Sequence, residues 1–248
     1  MTVLLLLLIV LGAMVTEAIV GFGSTVLTVA LGAHLLPLNV LLPAYIPVNM
    51  LLSAFLLWRQ PGSLDRTLLL RRILPAVGIG MVLGLLVFRQ GLGGGLLPWL
   101  AGFVIVLAVT ELIRLSRATA ALPAPVARYP GFLLLLVGGI AHGLFGSGGP
   151  MVVYVTSRDV PDKSRFRGTL AVLWLILNGV LIGNYAYLGL FSHQTATLSL
   201  AMLPVLLLAA PLGDRIHGKV HPGPFRIGVY VLLLLSGVAL AARSFGAP

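Results

Sequence analysis

Two apolar runs, residues 2–36 and 131–157, are each interrupted by a short element rich in glycine and hydroxyl groups. The first element reads Glu17-Ala18-Ile19-Val20-Gly21-Phe22-Gly23-Ser24-Thr25 and the second Ile140-Ala141-His142-Gly143-Leu144-Phe145-Gly146-Ser147-Gly148. Ala18, Phe22, Gly23 and Ser24 recur as Ala141, Phe145, Gly146 and Ser147 at a constant offset of 123. Such a break frees backbone amides where no water is at hand to bond them. Discontinuous helices of this kind build ion and small-anion sites inside membranes.

The surroundings are indeed those of a bilayer. Of the 248 residues, 59% are hydrophobic and 9% charged, and the mean hydropathy is +1.09; soluble domains carry about 25% charged residues. The formal net charge of +10 comes from 16 Lys and Arg that fall almost entirely between apolar runs. Juxtamembrane topology signals place charge that way, and a nucleic-acid partner is not indicated. The chain has no cysteine, hence no disulfide and no thiolate metal site. The first run lacks a basic leader and continues past Gly23, so it reads as mature structure rather than a signal peptide.

Runs of spanning length, about 20 residues, lie at 39–58, 67–88, 96–113, 168–191, 195–213 and 224–242. A connector with three prolines, 117–130, divides an N-terminal repeat (1–116) from a C-terminal repeat (131–248). Leu74-Pro75, Leu83-Gly84 and Asn49 match Leu203-Pro204, Leu212-Gly213 and Asn178 at an offset of 129, which agrees with an internal duplication. Charge then selects a threading. If each broken run is a re-entrant hairpin, one side gathers all Lys and Arg except Arg89 and Arg243; if each crosses once, the two sides tie. The expected fold is therefore an all-α polytopic membrane protein of two inverted repeats. Each repeat holds a re-entrant broken hairpin (2–36 or 131–157) plus three transmembrane helices, with a cytoplasmic connector and both termini periplasmic. Eight full spans arranged 4+4 are the alternative.

At the breaks, Ser24 and Thr25 suit the start of a helix, and Ser147-Gly148-Gly149-Pro150 is a stronger start signal. Helix N-termini attract anions. Amides and hydroxyls at Phe22, Gly23, Ser24, Thr25, Gly146, Ser147, Gly148 and Gly149, with the mid-span amides Asn49 and Asn178, form the expected substrate site, the two tips converging. Small residues also serve close helix packing. Glu17 and His142, the ionisable residues nearest the tips, are the candidate proton carriers. His217 and His221 flank a basic loop and read as facing water. Gly91-Leu92-Gly93-Gly94-Gly95 lacks the Lys-Ser/Thr continuation of a phosphate loop and reads as a turn. No metal-ligand spacing and no cofactor motif occurs.

These residues together resemble the TauE/SafE family of sulfite and organosulfonate exporters. The Phe22-Gly23-Ser24 and Phe145-Gly146-Ser147-Gly148-Gly149-Pro150 stretches carry the resemblance, with Leu212-Gly213-Asp214-Arg215 and Phe225-Arg226, and it extends over nearly the whole chain. Ser24-Thr25 departs from it, since a further glycine often stands there. The resemblance implies a permease of the bacterial inner membrane that takes small sulfur-containing anions as substrate, is not an enzyme and needs no cofactor; a homodimer is left open. A passive anion channel, a cation or other small-solute permease, and an intramembrane serine protease built on Ser147 are the alternatives.

Overall fold

A backbone surrounded by hydrocarbon must bond to itself, and every regular element among the described residues is a helix. The computed structural model describes residues 1–32, 34–89, 97–117, 124–146 and 148–246. Ser147, the 91–95 glycine turn and the middle of the connector lie outside them. The helices are α1 (Thr2–Val20), α2 (Ser24–Gly32), α3 (Leu38–Arg59), α4 (Arg66–Leu68), α5 (Leu74–Arg89), α6 (Leu97–Arg117), α7 (Arg128–Phe145), α8 (Gly149–Asp159), α9 (Lys163–Tyr187), α10 (His193–Lys219) and α11 (Pro222–Gly246). A π-helical turn, Leu69–Ile73, joins α4 to α5.

Among the described residues, six stretches are long and apolar enough to cross a membrane: α1, α3, Arg66–Val87, α9, α10 and Pro222–Ala239. Five of them fall on the expected spans. The sixth is α1, whose 19 residues reach spanning length before the break; α6, Leu97–Arg117, lies on the remaining expected span, 96–113. Several helices are apolar all round. In α1 the residues Leu6, Val10, Ala13, Met14 and Ala18 form a buried stripe, while Leu4, Leu5 and Leu8 are exposed. Water would not tolerate that second face, and lipid does.

The order of elements repeats along the chain. A long helix ends at a left-handed glycine, a short helix follows, and long helices complete each half. The helix boundaries set the correspondence: Gly21 and Gly146 are the left-handed caps, and α2 and α8 begin at Ser24 and Gly149. That register places Glu17 opposite His142, two residues away from the register of the Phe-Gly-Ser identities, because the capping glycine rather than the letters after it ends the helix.

The chain divides into two compact units, Met1–Leu64 with Arg167–Val220 and Asp65–Phe166 with His221–Pro248. Each draws on both halves of the sequence. In the first unit α1 packs on α10, α3 and the returning α2, and α3 packs on α10. Ser199 of α10 donates to the Ala44 carbonyl of α3 at 2.7 Å, beside Pro43 and Pro47 inside that helix. Such side-chain donors offset the amide hydrogen bonds that prolines remove.

In the second unit the closest pair is α5 with α7. A Cβ on Gly80 would strike the Leu136 carbonyl, one on Gly84 the Ile140 carbonyl, one on Gly139 the Val77 carbonyl and one on Gly143 the Met81 carbonyl. Two small-xxx-small stripes, Gly80/Gly84 and Gly139/Gly143, therefore interlock backbone to backbone. Lipid tails are as apolar as leucine, so close backbone approach rather than the hydrophobic effect holds such helices together. The other packed pairs are α6 with α11, and α8 with α7 and α11. Gly139→Val should lower stability by about 2 kcal/mol or more, read as the midpoint of thermal unfolding in detergent. Gly78→Ala on the same α5, where an added Cβ meets nothing within 4 Å, should be neutral or stabilising. Equal behaviour of the two variants would contradict the packing described.

Candidate functional site at the α1 break

Ending a helix leaves its last carbonyls without intrahelical partners, and at the first break the carbonyls of Glu17, Ala18, Ile19 and Gly21 are met by donors. Gly21, at φ 96°, turns its N–H back to the Glu17 carbonyl. The Arg167 guanidinium donates through Nη1 to the Ala18 carbonyl at 2.7 Å. His217 Nδ1 donates to the Ile19 carbonyl at 2.7 Å; a carbonyl only accepts, so this nitrogen carries the proton. Trp174 Nε1 donates to the Gly21 carbonyl at 2.9 Å. A Cβ on Gly21 would come within 3.1 Å of the Arg167 Cα, so the position needs glycine for space as well as for its positive φ.

Arg167 is 1% exposed, and its charge is compensated twice. Its Nη2 pairs with Asp214 Oδ1 at 2.7 Å, and Asp214 Oδ2 pairs with Arg59 Nε at 3.1 Å. Its other amino group faces the negative end of the α1 dipole. Sequence reading counted Arg167 within a basic loop and set His217 in water. His217 is buried, at 1% exposure, while His221 is exposed as expected. Arg59, Arg167, Trp174 and His217 are thus parts of the site that the motifs did not announce, and Asp214, within the Leu212-Gly213-Asp214-Arg215 stretch, was given no role there. One signal was present: Asp214 is one of only 6 acidic residues in the chain, and it sits at the end of an apolar run.

Just inside this collar lies a buried polar cluster. Ser24 donates its hydroxyl to Glu17 Oε2. Asn49 Nδ2 reaches Glu17 Oε1 at 3.1 Å and Ser24 Oγ at 2.9 Å, with Tyr45 OH at 3.5 Å. Asn178 Nδ2 donates to Asn49 Oδ1 at 2.8 Å. Glu17, Ser24, Thr28, Asn49, Ser53 and Asn178 are all buried. The first intrahelical bond of α2 runs from the Leu27 N–H to the Gly23 carbonyl, so the N–H groups of its opening residues are free of helix partners. Glu17 therefore places its carboxylate at the positive end of α2.

Of the expected residues, the structure brings together Glu17, Ser24, Asn49 and Asn178. Gly23, at φ 100°, and buried Phe22 form the turn, and Thr25 is half-buried. Ser24 departs from a helix-capping role, since its hydroxyl serves Glu17 rather than an amide of α2. His142, Gly146, Gly148 and Gly149 belong to the other unit. There the Gly146 N–H bonds to the His142 carbonyl, α8 begins at Gly149 with Gly148 as its cap, and Pro150 occupies the first turn as expected. With glycine in that place no side chain caps α8, and Ser147 lies outside the described residues. At the far end of α8, Asp159 meets Arg72 at 3.3 Å and Arg158 meets Glu111 at 2.8 Å; burial pushes the Asp159 carboxyl above the usual carboxylate range, opposed by Arg72 and the Val126 N–H. Among the described residues no three His, Asp or Glu side chains gather as metal ligands would.

Removing Arg167 tests the collar. Arg167→Met leaves the buried Ala18 carbonyl and the half-buried Asp214 carboxylate with one donor fewer, and should lower the unfolding free energy by about 3 kcal/mol in heat or denaturant unfolding in detergent. A loss below about 1 kcal/mol would mean that the helix end does not depend on it.

The family model described as Sulfite exporter TauE/SafE matches residues 5–240. A protein named probable sulfite/organosulfonate exporter TauE, from Cupriavidus necator, is 26% identical over 234 residues, covering 92% of this chain and 88% of its own. A probable inner membrane transporter protein TsaS, from Comamonas testosteroni, is 25% identical over 184 residues, covering 74% of this chain and 72% of its own. No solved structure matches. Apolar helices of spanning length, a break whose carbonyls are met by buried donors, and a match running almost from end to end agree: the chain belongs to the TauE/SafE family of sulfite exporters.

Proposed function

We propose that the protein is a secondary transporter that exports a small sulfur-containing oxyanion, sulfite or an organosulfonate, across the bacterial inner membrane. The observation that carries this reading is the buried donor cluster at the start of α2. The Ser24 hydroxyl, the Asn49 and Asn178 amides and the opening N–H groups of α2 offer hydrogen bonds to an oxyanion without burying a cation beside it. A sulfonate or sulfite oxygen accepts such bonds in a fixed geometry, and the helix dipole adds to the attraction. Asn49 stands halfway along α3, at mid-depth of a spanning helix. Asn49 and Asn178, matched in the two repeats, also bond to each other, as equivalent residues on a two-fold axis would, and this supports the duplicated, inverted arrangement.

The driving force is the membrane potential. With the cytoplasm negative, expelling one negative charge gains about 2.3 kcal/mol per 100 mV, so export proceeds without ATP. The basic segments at 58–72 and 158–167 face the cytoplasm, where they raise the local anion concentration. A single cysteine at Gly62, in a chain with no native one, should react with a membrane-impermeant maleimide only after the inner face is opened. Labelling from outside intact cells would reverse the assigned orientation.

Transport itself is tested in proteoliposomes loaded with labelled sulfite. An inside-negative potential should drive efflux, and external unlabelled sulfite should accelerate exchange, as a carrier requires and a channel does not. Asn49→Ala should cut the rate at sub-saturating sulfite by about tenfold or more, the effect of one hydrogen bond to a charged partner. Efflux indifferent to this change would remove the α1 break from the substrate path.

A further inference from the structure

The donors that would hold a substrate anion are already engaged by a carboxylate of the chain itself. Glu17 is 3% exposed and accepts from the Ser24 hydroxyl and the Asn49 amide, while Asn178 orients that amide from behind. Its position at the N-terminus of α2 is the one an incoming oxyanion would take. Two anions cannot share these donors: like charges in contact within a low-dielectric interior repel strongly.

Resting on the reading above, we infer that Glu17 stands in for the transported anion when the site is empty, and that it takes up a proton when the substrate binds. The protonated carboxyl is neutral and turns from competitor to donor, offering its O–H to a substrate oxygen or a backbone carbonyl. The balance is one proton and one monovalent anion bound together, so binding leaves the charge of the site unchanged: Glu17 carries the single negative charge when the site is empty and the substrate carries it when the site is loaded. Deprotonation of Glu17 back to the cytoplasmic side then expels the anion and restores the closed cluster of donors, so that the anion crosses alone and its export draws on the membrane potential.

The other titratable groups around Glu17 are accounted for. The α2 helix, Ser24–Gly32, contains none. The α3 helix brings Tyr45, a neutral phenol within reach of Asn49. The α10 helix brings Asp214, paired with Arg59 and Arg167, and His217, bonded to the Ile19 carbonyl. The α9 helix brings Arg167, bonded to the Ala18 carbonyl. Tyr45 apart, each is held at the collar around the α1 carbonyls, which leaves Glu17 as the carboxylate on the α2 start.

The test uses isethionate, a strong-acid sulfonate whose charge stays constant across the working range. Its binding to the full-length protein in detergent is measured by calorimetry between pH 5 and 9, in buffers of differing ionisation enthalpy, which reports the protons taken up. The wild type should take up about one proton per anion and weaken about tenfold per pH unit once Glu17 is ionised in the empty site. Glu17→Gln keeps the shape without the charge, and should bind with no proton uptake and little pH dependence. Wild-type binding without proton uptake, or proton uptake that survives in Glu17→Gln, overturns the inference and leaves the anion site standing. No binding of isethionate or sulfite by the wild type at any pH overturns both.

Discussion

A helix that stops among apolar neighbours exposes carbonyls that nothing but protein can satisfy, and the first unit is arranged around that demand. Four donors from three elements converge on the end of α1: the Gly21 amide, the Arg167 guanidinium, the Trp174 indole and the His217 imidazole. Burying a guanidinium costs several kcal/mol unless its partners are close and well oriented; here a carboxylate and a helix terminus share it. The ionic collar explains why α1 can stop where it does. It also fixes where α2 begins, and thereby where Glu17 and Ser24 meet.

Glycine serves two distinct physical needs in this chain. At Gly21, Gly23 and Gly146 it supplies the left-handed turn that ends a helix or redirects the backbone. At Gly80, Gly84, Gly139 and Gly143 it has ordinary helical geometry and instead removes the side chain that would hold α5 and α7 apart. The first use creates a polar opening in an apolar chain, and the second draws helices together without one. In the first unit the same close approach occurs at Gly213, where a Cβ would meet the Ala18 side chain.

Much of this was readable from residue order. Apolar run length gave five of the six helices of spanning length among the described residues, since burying about 20 residues of backbone in lipid leaves few other solutions. The breaks were visible because glycine and serine have little reason to cluster in a lipid-facing helix. Asn49 and Asn178 stood out because a mid-span amide needs a partner, and each turned out to be the other's. Arg167 and His217 were not legible, because a basic residue at a span boundary looks the same in sequence whether it faces water or turns inward to a carbonyl. The direction is set by Asp214 and the α1 terminus, both more than 40 residues from Arg167 along the chain. The role of Ser24 was misread for a similar reason: its local geometry suits a cap, but Glu17, seven residues earlier, outcompetes the amide.

The central claim is that the start of α2 receives an anion in the course of transport, and ligand protection at that point tests it most directly. Thr25 is half-buried beside Ser24, and a cysteine placed there would be the only one in the chain. In native membranes a small maleimide should modify Thr25→Cys, and saturating isethionate should slow the reaction at least about tenfold while equimolar chloride does not. A modification rate unchanged by isethionate would contradict the account.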